Sequence, residues 1–152
     1  MKGLLYYRLV ALHQCAMNID EFLSALACST KHAGATQASL ARLEEALGLQ
    51  LPGSYLDLMR RSSGVEGFVA EDRYLMLWPV EQIAELNEGC SVAEFAPGLL
   101  LIGSDGAEIG YAFDTRFEPM PVKRVPFVGM SHEEAKTVAR TFEGFLDYLK
   151  RK

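Results

Sequence analysis

Metal and nucleophile chemistry would rest on three histidines, His13, His32 and His132, three cysteines, Cys15, Cys28 and Cys90, and a scatter of serines. There is no HExxH helix and no CxxC pair, so neither a zinc hydrolase nor a zinc ribbon is encoded. An odd number of widely spaced cysteines reads as buried thiols of a reducing cytoplasm rather than as a disulfide framework. His132 follows Ser131 directly and reads as solvated. Ser62, Ser63 and Ser104 stand outside a GxSxG turn, so no serine nucleophile is set up. The many carboxylates could supply an acid–base pair in a cleft, but linear spacing does not pair them. The chain therefore reads as non-enzymatic, with no catalytic residue, no metal and no cofactor.

The stretch 101-LIGSDGAEIGYAFDTR-116 poses the same question for phosphate or cation binding. A GxGxxG turn needs other glycine positions and a following helix; here an apolar strand follows. Gly98 and Gly103 have P-loop separation, but Leu-Leu-Leu-Ile fills the loop and the lysine is missing. Asp105, Glu108 and Asp114 are too few and too widely spaced for a calcium loop. Ser-Asp-Gly between two apolar runs is a hairpin turn, with Gly106 free to take positive φ.

Charge carries more information than these motifs. The net charge is −5, but residues 65–118 hold eleven acids against only Arg73 and Arg116. That segment would repel nucleic acid and attract a basic protein surface, or its acids merely keep a surface soluble. Glu66, Glu71, Asp72, Asp105 and Glu108 fall at or near its predicted turns and are the candidate partner-binding residues.

Elements must position these residues. With 49% apolar and 23% charged residues, one folded core is expected rather than disorder. The N-terminal run LLYYRLVAL looks briefly like a signal peptide, but Arg8 interrupts it and Asp20 and Glu21 occupy the cleavage region. No run reaches membrane-span length, so a cytoplasmic protein is expected. Residues 4–28 read as amphipathic helix and 29–39 as a linker. Leu40, Leu43 and Leu47 mark a helix ending at Gly48, and Pro52 opens another that carries Tyr55, Leu58 and Met59. Strands are predicted at 65–69, 74–78, 99–102 and 109–113, with a helix after Pro79 that stops near Gly89. A further strand over 120–128, interrupted by Pro121 and Pro126, suits a sheet edge. Ser131 and Glu134 form a capping box, which predicts one helix from there to the C-terminus. Short turns between strands predict a mostly antiparallel sheet flanked by helices, an α+β fold in a single domain.

Five segments in this order also resemble the SMI1/KNR4, or SUKH, superfamily. They are Leu43-Glu44 to Gly48; Leu51-Pro52 with Tyr55 and Ser63-Gly64; Leu77-Trp78-Pro79 with Ile83 and Asn87; Ile102 to Asp114; and Phe142–Leu149. The family pattern has Asn where this chain has Ser63. The likeness divides the chain into an N-terminal helical extension, 1–35, and an SMI1/KNR4-like domain, 36–152. It implies the same α+β fold. For bacterial members it implies a non-catalytic immunity protein that binds a cognate toxin domain, nucleases among them; for fungal members it implies a regulatory interaction module. The matching residues look structural, so the resemblance transfers no partner-binding site.

Overall fold

A computed structural model describes residues 18–151, and for 27–31 the backbone alone. Helices expected over 4–17 lie outside the described residues. Among the described residues, seven strands form one sheet: β1 Ala27–Lys31, β2 Val65–Ala70, β3 Arg73–Leu77, β4 Leu99–Ser104, β5 Ile109–Asp114, β6 Val122–Pro126 and β7 Lys136–Ala139. Spatial order equals chain order and every pairing is antiparallel. The helices are α1 Ile19–Ala25, α2 Gln37–Leu47, α3 Gly53–Arg61, α4 Val80–Gly89, α5 Val92–Phe95 and α6 Phe142–Lys150. This is the α+β fold that the short turns predict.

Local chemistry explains the helix ends. The Thr36 hydroxyl accepts from the Ser39 amide at 3.1 Å and starts α2. Gly48, at φ 68°, ends it in the left-handed conformation that costs glycine least. Pro52 and Pro79 each precede a helix, where a missing N–H leaves no bond unmade. Proline cannot cap α4 with its side chain, and the buried Ser63 hydroxyl does so from outside, accepting from Val80 N at 3.1 Å.

Helix α6 touches both β2 and β7, strands far apart in the sheet order, so the sheet curves around it. Between them lies an aromatic core. The Tyr55 ring meets Phe113 and Phe142 edge-on at 5.3 and 5.5 Å, and Tyr111 packs on Phe145 at 4.9 Å. Phe22, Leu23 and Leu26 join the same core, so α1 docks on the sheet–helix body.

Three local expectations fail. Residues 27–31, expected as the end of a helix to 28 and a linker from 29, form a strand paired with β2. The strand β6 is not an edge, because β7 pairs with its outer side; Pro121 and Pro126 stand at its ends, where the absent amide is not needed. The capping box also does not launch the terminal helix. The Ser131 hydroxyl does accept from Glu134 N, at 3.2 Å, but only one turn forms, and Lys136–Ala139 becomes β7. The helix starts at Phe142, capped by the Thr141 hydroxyl on Gly144 N at 3.1 Å. Thr137 and Val138 are β-branched and favour extended backbone, and pairing Lys136, Thr137 and Ala139 with β6 satisfies backbone groups that would otherwise form an open edge.

Candidate functional site

Antiparallel alternation brings the β2–β3 and β4–β5 turns to one end of the sheet. The second turn is built as predicted: the Asp105 carboxylate accepts from Ala107 N at 2.9 Å and Ile109 N at 3.1 Å. The Ser104 hydroxyl accepts from Gly106 N at 3.0 Å. Gly106 sits at φ 80° against the Tyr74 ring, so a Cβ there would meet that ring at 2.7 Å.

Between the turns and the end of α6 lies a cleft of about 390 Å³. Asp72 and Asp105 line it, with Tyr74, Tyr111, Tyr148, Arg73 and Arg124. Of the five acidic candidates, the structure thus brings two together. Glu71 and Glu108 stand exposed on the same two turns without lining the cleft. Glu66 lies on the strand behind, where its carboxylate accepts the Tyr74 hydroxyl; that bond is the main cause raising the Tyr74 pKa.

The two arginines and three tyrosines have no motif in the sequence. They converge because β3, β5, β6 and α6 meet here, and residues 73, 111, 124 and 148 are far apart in the chain. Arg73 donates to the carbonyls of Tyr148 and Leu149 at 2.8 and 3.2 Å and lies 5.1 Å from the Tyr148 ring centroid. It thereby completes the carbonyl end of α6. Tyr111 and Arg124 are direct cross-strand partners. Burial is the first cause raising the Tyr111 pKa, helped by Tyr148 and Asp105 and opposed by Arg73 and Arg124. Its phenol therefore stays a donor at neutral pH. None of the ion pairs among the described residues uses Asp72, Asp105 or Arg124.

No serine, cysteine or histidine lines this cleft. It offers carboxylates, a guanidinium and phenols to a ligand, which is recognition chemistry. Among the described residues no group of three or more His, Cys, Asp or Glu gathers for a metal ion, and no helix is long and apolar enough to cross a membrane. His132 is not solvated as expected. It is half-buried, and its Nε2 lies 2.7 Å from the Pro97 carbonyl oxygen.

The remaining motif residues brace the fold. Glu44 accepts from Leu51 N at 2.8 Å. Asn87 bonds both backbone groups of Leu101 on β4, each at 2.8 Å. Strand β3 pairs with β4 only at Met76–Leu77, so the Asn87 amide replaces a strand neighbour where the two diverge. Gly103 permits that junction, since a Cβ would stand 2.3 Å from the Met76 carbonyl oxygen. The Asp114 carboxylate is fully buried and held by Arg116 through Nε at 2.9 Å and Nη2 at 2.8 Å, with Lys123 at 3.3 Å. The Arg116 bonds, over the opposition of burial, hold its pKa down to about 2.

The fold is an α+β domain, and the cleft at its hairpin tips is its candidate site. The sequence profile of the SMI1 / KNR4 family (SUKH-1) matches residues 34–148, and the chain belongs to that family. It is a family of immunity-protein-like domains, generally non-catalytic. A comparison with curated proteins finds no match.

Proposed function

We propose that this chain is an immunity protein of the bacterial cytoplasm that binds a cognate toxin domain and blocks it sterically, without catalysis of its own. The observation that carries the reading is the meeting of Asp72 and Asp105 with tyrosines and arginines in one cleft. Tyr and Arg are enriched at binding hot spots because they bury large area at small entropic cost. Glu71 and Glu108 beside the cleft add a field that speeds the encounter with a basic surface, such as a nuclease active site.

The test is growth rescue. A basic toxin domain captured stoichiometrically by the tagged chain is expressed in a sensitive host with and without the chain. Rescue by the chain, lost when the toxin-binding surface is altered, supports immunity. Reproducible capture of housekeeping proteins instead, with no rescue, moves the assignment to a regulatory interaction module. That second reading has its own support in the balanced charge of the cleft, where two acids face two arginines.

A further inference from the structure

A second recognition surface lies at the opposite end of β4. There a groove of about 520 Å³ is lined by Leu47 of α2, Val92 and Ala93 of α5, and Leu99 at the start of β4, with Glu88 and Glu94 on its walls. Its lining is mainly apolar, unlike that of the hairpin-tip cleft. Phe95, on the same short helix α5, is 54% exposed.

The groove walls carry Glu88 and Glu94, and Arg116, which packs against Gly98, is paired with the buried Asp114. Residues 74–115 contain no lysine or arginine. Glu81, Glu85 and Glu88 recur along α4 at the spacing of one helix face, and all three, with Glu94, are exposed. None of them enters an ion pair among the described residues. The backbone around the groove is braced as well. Asn87 clamps Leu101, and the Thr115 amide and hydroxyl both donate to the Gly98 carbonyl, at 2.8 and 2.6 Å. A groove that needs no ordering on binding loses little affinity to entropy.

We propose that this groove receives the apolar face of a basic amphipathic helix from a partner protein. Aliphatic anchors of that helix would enter between α5 and β4, and its lysines or arginines would face Glu88, Glu94 and the α4 stripe. Anionic lipid and nucleic acid, the other amphipathic or extended ligands of such size, are repelled by the same glutamates. The proposal goes beyond the toxin-binding reading, since it concerns the other end of the molecule and stands whether or not the hairpin-tip cleft binds a toxin.

The experiment titrates the isotope-labelled full chain with a synthetic leucine–lysine amphipathic helix, about four turns long. Amide shifts are followed at Gly98 in the groove and Gly106 at the hairpin tip. Gly98 and Ala93 are expected to shift while Gly106 stays. Glu88→Lys/Glu94→Lys should weaken binding about tenfold or more at low salt, and Ala93→Trp, which fills the groove without changing charge, should do the same at any salt. All three positions are exposed, and the charge variant keeps the test valid should the tryptophan disturb α5. The proposal is overturned if no groove amide shifts at millimolar peptide. It is also overturned if Gly106 responds as Gly98 does, or if Glu71→Lys/Glu108→Lys weakens binding as much as the groove variants. Concentration-dependent sedimentation of the chain alone, abolished by Ala93→Trp, would equally overturn it by making a second copy the occupant.

Discussion

The two ends of the β4–β5 hairpin use polar groups in opposite ways. At the Leu99–Asp114 end, Asn87, Thr115 and the Asp114–Arg116 pair commit their polar atoms to backbone or to each other. What remains open to solvent there is mainly apolar floor and unpaired glutamate, with the outer part of Arg116. At the Ser104–Ile109 end, the turn is held by short local bonds from Ser104 and Asp105. Arg124 and Asp72 are exposed, Tyr148 is half-buried, and the buried Tyr111 lines the cleft beside them. A polar side chain spent on the scaffold is lost to recognition, so one end reads as a rigid apolar seat and the other as an adaptable polar one.

Asn87→Leu tests the rigid end most severely. It leaves the Leu101 N–H and C=O without partners, at a cost of about 2–4 kcal/mol. Thermal denaturation should show the loss. Amide exchange should quicken at Leu101 more than at Ile109; equal quickening would mean that the two ends are one cooperative unit.

Asp114→Asn is the next largest change. The folded pKa lies below the ordinary value, so the unfolded chain binds the proton more readily. The stabilisation is complete above about pH 4 and is lost as pH falls through about 2. It amounts to about 2 kcal/mol. Denaturant midpoints across that window should slope in the parent chain and flatten in the variant; an unchanged slope would refute the assignment.

At the adaptable end, Arg73→Ala removes the donor from the α6 carbonyls and should cost about 1–2 kcal/mol. Glu71→Lys/Asp72→Lys/Glu108→Lys should change stability by no more than about 0.5 kcal/mol. The same variant should slow association with a basic partner about tenfold at low salt and much less at high salt, read by stopped-flow. Asp105 is left out because its carboxylate builds the turn, and Asp105→Asn keeps that acceptor. An on-rate that charge reversal leaves untouched would separate the acidic tips from the proposed function. Tyr74→Phe frees Glu66 and should cost about 0.5–1 kcal/mol; Glu66→Gln should return the Tyr74 titration toward its ordinary value, followed by absorbance.

Much of this was legible from the residues alone. The period of Phe142, Phe145, Leu146 and Leu149, the cap at Gly48 and the Ser-Asp-Gly turn are local rules, satisfied by neighbours within one or two turns of chain. The same locality misled at Ser131. A capping box sets one helical turn, whereas the open side of β6, whose paired residues Val122–Arg124 stand well before the box in the chain, recruits Lys136–Ala139 as a strand. The acids at the hairpin tips were visible as turn residues. Their arginine and tyrosine companions were not, because the cleft joins positions 73, 111, 124 and 148 through sheet register and the end of a helix. The sequence by itself thus determined the class of fold, the family and the concentration of acid in one segment, all of which depend on composition and short-range pattern. Only the tertiary structure decided that those acids divide between a polar cleft and an apolar groove, because which side chains share a surface depends on strand order and packing.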